Sequence, residues 1–364
     1  MNLDFILWTP SPEMFSLGAI TVRWYGLLFA SGFLIGQYIL AHIFAKEGKP
    51  EEDINAVTMY MVIATVLGAR LGHCFFYEPD YFLAHPIEIF KVWNGGLASH
   101  GATVGIITAL YFYSRNRKGQ SFLWILDRIV IVVALGGALI RMGNLMNSEI
   151  VGRPSNSPVA FVFGYGGKDV LEQHFGQVVE KVSIQKSGIS QAHANAQGIE
   201  LKPLTLSVQF KEGVSQAQAQ EVVSQIPQVL AAYEASREDI EVESSPKVQF
   251  TQAGTATIAN VEAYGVPRLP SQLFEAISTF LLFAFLYLMW NKKKGNTPEG
   301  SIFGLFVVIL FSLRFIYEFY KENQVAFEDK MPLNMGQILS IPMVAIGLIV
   351  LYMAYTGKTK VKVQ

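Results

Sequence analysis

The sequence predicts an all-α polytopic membrane protein of about seven transmembrane helices, carrying a small α+β domain inserted on the extracytoplasmic side. Three observations lead there. Of its 364 residues 51% are hydrophobic and 13% aromatic, and a mean hydropathy of +0.32 is too high for an ordinary water-soluble chain of this size. Apolar stretches of roughly 20 residues, enough to cross a hydrocarbon core about 30 Å thick, recur near 18–44, 54–76, 97–114, 121–147, 271–290, 300–320 and 335–355. Between the fourth and fifth lies a run rich in Gln, Ser, Glu and Lys that reads as soluble protein. The expected organisation is a membrane part at 1–164 with spans one to four, the insert at 165–265, and a membrane part at 266–364 with spans five to seven.

In chain order, MNLDFILWTPSPEMFSLG has no basic n-region and no cleavage signal, so the first span is expected to be retained. Lysine and arginine set the orientation. Arg115, Arg117 and Lys118 follow span three, Lys292, Lys293 and Lys294 follow span five, and Lys358, Lys360 and Lys362 follow span seven. All three clusters fall on one side, with two lysines of the KEGKPEED loop, and the positive-inside rule makes that side cytoplasmic. The N-terminus is then outside and the C-terminus inside. Within the insert, KPLTLSVQF, KVQFTQ and ATIANVEAYGV read as strands, and AQAQEVVSQIPQVLAAYEA reads as a helix that Pro227 interrupts. The net charge of -1 comes with no extended basic surface, which argues against nucleic acid. The single cysteine, Cys74, excludes an internal disulfide framework and a cysteine-cluster metal site.

The polar groups inside this apolar chain carry its chemistry. GGALIRMGNLMNSEIVGRPSN, at 136–156, closes span four. Arg141, Asn144 and Ser148 recur there at helical spacing and are expected on one face, with Asn147, Glu149, Gly152 and Arg153 in or just beyond the same turn. An arginine facing hydrocarbon costs about 2.5–3.5 kcal/mol on insertion scales, so Arg141 should face protein or a wet cavity. Compatible groups fall at the same outer level. His100 opens span three beside the small residues Gly101, Ala102 and Gly105, which admit a close helix or a lipid. Arg314 and Glu318 lie four apart at the end of span six, Ser271, Gln272 and Glu275 open span five, and Tyr25 lies at the outer end of span one.

Each has a plain structural reading: an ion pair for Arg314 with Glu318, a donor to a carbonyl for His100, an aromatic belt for Trp24 and Tyr25. Arg70 and His73 read as supporting contacts, and Asp127 and Arg128 as groups near the inner end of span four, close to water. The gathering of so many polar groups on one side favours a site.

Seven pieces together resemble one family: RWYG at 23–26, GARLGHCFFY at 68–77, GGLASHGATVG at 95–105, RMGNLMNSEIVGR at 141–153, PSQLFE at 270–275, RFIYEF at 314–319 and GQILSIPM at 336–343. In this order they resemble the prolipoprotein diacylglyceryl transferases of bacteria. The resemblance implies a multi-pass enzyme of the bacterial plasma membrane, working among membrane lipids without metal or organic cofactor. Its reaction would move the diacylglyceryl group of phosphatidylglycerol to the lipobox cysteine of a prolipoprotein signal peptide, forming a thioether and releasing glycerol phosphate.

His100, Arg141 and Arg314 are the catalytic candidates, and Tyr25, Asn144, Asn147, Glu149, Gly152, Arg153 and Glu318 the substrate-binding ones. Imidazoles titrate near neutrality and suit a base, while arginine forks suit phosphate. Glu149 or Glu318 can instead orient His100 or an arginine, or Glu149 can pair with Arg153. Two features depart from the family pattern. The outer segment between GRPSN and PSQLFE is longer, and Lys321 stands in the general place of a second arginine, keeping charge but losing the fork. A multi-pass transporter of an anionic solute is the alternative, since intramembrane arginines, a histidine and carboxylates serve it too.

Overall fold

The computed structural model describes residues 5–18, 20–92, 95–96, 98–188, 193–233, 236, 239–293, 296–322, 328 and 331–357. The clusters that orient the chain lie partly beyond them: Lys294, Lys358, Lys360 and Lys362 are outside the described residues. Two compact units form, one from Met1–Gly26, Arg141–Phe274 and Tyr317–Ala326, the other from Leu27–Ile140, Glu275–Ile316 and Phe327–Gln364.

Among the described residues six helices are long and apolar enough to cross a membrane. They are α1 (Trp24–Lys46), α2 (Glu52–Phe76), α5 (Phe122–Met146), α8 (Ser271–Lys293), α9 (Ser301–Tyr317, extended by a 3₁₀ turn at Glu318–Tyr320) and α10 (Met335–Tyr355). A short α3 (Pro79–Ala84) follows α2. The predicted third span is the 17-residue α4 (Ser99–Arg115), roughly 26 Å long at 1.5 Å per residue, short of a full crossing. Its start is set by the chain just ahead of it: Gly95 and Gly96 turn the backbone with φ of 84° and 69°, and Ala98 is extended.

In the unit containing these helices, α2 and α4 pack backbone to backbone. A Cβ on Gly72 would lie 2.7 Å from Gly101 Cα, one on Gly105 2.6 Å from Ala64 O, and one on Gly101 would strike Gly68 O. The small residues beside His100 therefore admit a helix, the first of the two options their size allowed. Away from this contact, Asp127 and Arg128 correct the sequence reading, for both are buried, at 0% and 1% exposure, rather than close to water. Glu47 takes the Arg128 fork, from Nη2 at 2.8 Å and Nε at 3.2 Å, and accepts indole N–H groups from Trp124 (3.0 Å) and Trp290 (2.6 Å). Asp127 accepts the backbone N–H of Gly300 (2.8 Å) and Phe303 (2.7 Å), capping α9. A charge taken from water is tolerable only with its partners in place.

The other unit holds the polar segment. Its sheet runs β5 (Val179–Lys186), β7 (Glu200–Phe210), β10 (Ala256–Gly265), β8 (Ile240–Glu241), with β6 (His193–Ala194) on β7 and β9 (Val248–Ala253) on β10, all antiparallel. In β7, buried Leu204, Leu206, Val208 and Phe210 alternate with Thr205, Ser207 and Gln209, the period of a half-buried strand. Helices α6 (Tyr165–His174) and α7 (Gln216–Ala232) cover the apolar side. Ser215 and Gln218 form a capping box at the start of α7. The helix continues through Pro227, contrary to the expected interruption. An internal proline costs about 3 kcal/mol, and the buried Val222, Val223, Ile226, Val229 and Leu230 on the same helix each contribute roughly 1.5–3 kcal/mol.

In the same unit β2 (Glu13–Leu17) and β3 (Ile20–Arg23) form an antiparallel pair, and β4 (Phe161–Phe163) pairs in parallel with β1 (Ile6–Trp8) and antiparallel with β11 (Pro267–Arg268). Trp8 Nε1 donates to Leu145 O at 3.0 Å, and Leu145, Phe161 and Phe163 form a small core with Trp8, Met142, Val151 and Leu273. The C-terminal end of α5 is held here.

Candidate active site

Helix α5 stops at Met146, and how it stops shapes the polar turn. Ser148 N–H donates to Leu145 O (3.0 Å) and Glu149 N–H to Asn144 O (3.1 Å), the paired bonds of a Schellman termination. The position after the cap must then be left-handed. Ser148 fills it with φ of 53°, and Ile150 follows at 57°. Ser148 thus leaves the helical face on which its spacing placed it. Glycine avoids the Cβ clash of this conformation, whereas a β-branched residue there is a true outlier.

The turn gathers four of the candidate side chains. Arg141 Nη1 donates to Asn144 Oδ1 (3.3 Å), and Asn144 Nδ2 (2.6 Å) and Asn147 Nδ2 (3.2 Å) both donate to Glu149 Oε1. Asn144 is buried and Glu149 exposed. Tyr25 packs on the same helix end, its ring Cδ2 2.8 Å from where a Cβ on Gly143 would stand. Asn147 Oδ1 and Ser148 Oγ are shielded and without a hydrogen-bond partner among the described residues.

The pairing of Glu149 with Arg153 does not form. Glu149 is held by the two asparagines, while Arg153 Nε donates to Lys321 O at 2.7 Å. Gly152 explains why Arg153 reaches there. Gly152 N–H donates to Leu269 O (2.8 Å), Arg153 N–H to Tyr320 O (2.9 Å) and Leu269 N–H to Arg153 O (3.2 Å). The chain is wedged between two backbones, and a Cβ on Gly152 would meet Leu269 O at 2.6 Å and Tyr320 O at 2.9 Å. Glu318 opens the 3₁₀ turn beside this wedge, with Lys321 Nζ 3.9 Å from its carboxylate. Lys321 is 5% exposed.

Ser271 and Gln272, which the sequence placed at the same level without a role, and Arg268, which it did not single out, complete the turn. Ser271 Oγ donates to Ile150 O (2.8 Å) and Gln272 Nε2 to Glu149 O (2.6 Å), so PSQLFE clamps the two peptides around the left-handed positions. Both side chains are buried. Arg268, 2% exposed, meets Asp239 (2.9 Å) and Glu322 (2.8 Å). The polar density of RLPSQ at a helix start was the available signal.

His100 and Arg314 belong to the other unit. His100, in the first turn of α4, is exposed and packs against Phe76 edge-on (centroids 5.0 Å apart) and Tyr77 (5.8 Å). Tyr77 stacks on His73 in turn (5.6 Å), placing a phenol ring between two imidazoles. Arg70 is the supporting group expected, donating to the carbonyls of Glu88 (2.6 Å), Ile89 (2.9 Å) and Gly95 (2.7 Å) and so folding the loop after α2. Arg314 lies exposed in the last turn of α9, where a cation also complements the helix dipole.

The comparisons with known proteins agree with one another. The family model for prolipoprotein diacylglyceryl transferase matches residues 12–353. A phosphatidylglycerol--prolipoprotein diacylglyceryl transferase of Chloroherpeton thalassium is 38% identical over 96% of this chain and 94% of its own length. Proteins of the same name from Tolumonas auensis (30% identical, 98% of this chain, all of the relative) and Porphyromonas gingivalis (31%, 94% and 93%) match similarly. The polar segment at 165–265 lies inside the matched range.

Proposed function

Because the chain belongs to the prolipoprotein diacylglyceryl transferase family, we propose that it moves the diacylglyceryl group of phosphatidylglycerol onto the lipobox cysteine of prolipoprotein signal peptides. The thiol sulfur bonds to the terminal glycerol carbon of the diacylglyceryl group. The bond from that carbon to the phosphate oxygen breaks, the thiol proton passes to a base, and glycerol phosphate leaves. The relatives carry the name of this transferase, which leaves the transporter reading without support.

The observation that supports this most is the linked set Arg141, Asn144, Glu149 and Asn147 on the strained end of α5. A half-buried guanidinium held by an amide binds a phosphate oxygen pair and stabilises the charge that grows as the leaving group departs. Glu149, by accepting from both asparagines, orients them. The shielded Asn147 Oδ1 and Ser148 Oγ suit hydroxyls of a glycerol headgroup, since buried polar atoms carry a cost until paired. As the family resemblance implies, Arg314 is assigned to phosphate charge and His100 to the thiol proton. Tyr25, Gly152, Arg153 and Glu318 shape and line the headgroup site.

Both substrates live in the bilayer, as a multi-pass enzyme requires. The assigned topology puts the N-terminus outside, the C-terminus in the cytoplasm and 165–265 outside, in a bacterial plasma membrane, with α4 as the seventh, shorter crossing. The test is a transfer assay with purified protein, phosphatidylglycerol and a signal peptide. A mass gain of one diacylglyceryl group with stoichiometric glycerol phosphate, absent when the peptide's cysteine is replaced by serine, is the expected result. Folded protein that transfers nothing refutes the reading.

A further inference from the structure

The polar segment at 165–265 has no part in the reaction as written, yet it is bonded into the turn that carries Gly152 and Arg153. The connection is partly backbone. Strand β10, the centre of the insert's sheet, pairs with β7 from Ile258 to Gly265, and the chain then runs directly into Pro267 and Arg268 of β11. Those residues face the turn. Ser155 N–H donates to Pro267 O (2.8 Å), Pro154 bridges Arg268, and Gly152 N–H donates to Leu269 O (2.8 Å). The register of the insert's sheet is therefore carried into the strand beneath the turn.

The rest of the connection is a buried charge. Arg268, 2% exposed, places Nε 2.9 Å from Asp239 Oδ1 and Nη1 2.8 Å from Glu322 Oε1, with Nη1 also 3.4 Å from Gly152 O. Asp239 is part of the insert, and its carbonyl accepts Val266 N–H at 2.9 Å. A guanidinium cannot be left in a dry interior without acceptors. Its position is thus set by the insert on one side and by the segment after the 3₁₀ turn on the other. Arg153 depends on the same two supports, through Leu269, Tyr320 and Lys321.

We infer that Arg268 is a positioning residue of the transfer reaction and that the insert, acting through Asp239, holds the Gly152–Arg153 turn in register for the lipid headgroup. This rests on the transferase reading and assigns the insert a role within it. Displacing a binding group by about 1 Å can cost as much as a hundredfold, and because this turn is assigned to the lipid headgroup the effect falls on the lipid rather than the peptide.

The experiment compares full-length wild type, Asp239→Asn, Arg268→Lys, Arg268→Gln and the Asp239→Asn/Arg268→Gln double variant, varying phosphatidylglycerol and signal peptide separately. Asp239→Asn and Arg268→Gln are expected to raise KM for phosphatidylglycerol about tenfold with kcat and the peptide KM within about twofold, Arg268→Lys to fall between, and the double variant to match Arg268→Gln. Amide hydrogen exchange supplies a readout independent of turnover. Asp239→Asn is expected to speed exchange at 152–155 and leave 204–208 in the insert core protected. An unchanged lipid KM, multiplied effects in the double variant, or unaltered exchange at 152–155 overturns the inference. Absence of transfer by the wild type would instead strike the transferase reading.

Discussion

Ser148 and Gly152 show how single residues set the turn. At φ of 53° Ser148 carries a Cβ that the Schellman termination disfavours, at a cost of roughly 1–2 kcal/mol in the left-handed region. Ser148→Gly is therefore expected to raise stability by about 1 kcal/mol, seen as a higher unfolding midpoint in detergent. A lower midpoint would mean that the hydroxyl contributes more than the conformation costs. Gly152→Ala should do the opposite, because the new Cβ meets carbonyl oxygens at 2.6 and 2.9 Å. Overpacking of this kind costs about 1–3 kcal/mol, and with Arg153 displaced transfer should fall at least about tenfold. The density of polar residues at 141–153 was legible in the sequence because an apolar segment surrounds it. The left-handed turn was not, since helical spacing projects past Met146 and no glycine marks the stop. The role of the clamps was hidden for another reason: Ser271 and Gln272 were visible as polar groups at a helix start, but they lie more than 120 residues from the carbonyls they hold.

Among elements, the α2–α4 contact and the insert's sheet make separate predictions. Gly101→Ala places a methyl against Gly68 O and Gly72 Cα, so α4 must move, and His100 is the preceding residue. The expected loss is about 1–3 kcal/mol of stability with a parallel drop in transfer, whereas Gly137→Ala, whose Cβ would meet nothing within 4 Å beyond its own helix backbone, should leave both unchanged. Measuring both variants side by side checks the contact. In the insert, burial and then the hydrogen bond to and charge of Glu262 push the Tyr264 phenol up from 10.0 to about 12. Unfolded chains lose this proton near pH 10 while the folded sheet keeps it to about 12. Its contribution is complete below pH 10 and is lost as pH rises through that window. Tyr264→Phe should flatten the fall in unfolding midpoint between pH 10 and 12. Strand alternation in KPLTLSVQF announced β7, yet β5 went unread. Asp127 and Arg128 were misplaced near water because their partners, Glu47 and the Gly300–Phe303 turn, are remote in sequence.

For the whole molecule, hydropathy alone announced a polytopic helical chain, and six of the apolar stretches became helices of crossing length among the described residues. The remaining stretch, at 97–114, became a 17-residue helix that starts only after the Gly95–Gly96 turn and the extended Ala98, a distinction that composition does not carry. The proposed reaction has two membrane-bound substrates and places its chemistry where α5 ends. The most direct measurement is steady-state transfer by Arg141→Ala and Arg141→Lys beside wild type, with unfolding midpoints recorded on the same samples. Arg141→Ala at an unaltered midpoint should lose about 10²–10³ in kcat, the scale of one removed anion-stabilising donor, and Arg141→Lys should recover part of it. Wild-type turnover by folded Arg141→Ala would contradict the assignment of the phosphate to this turn.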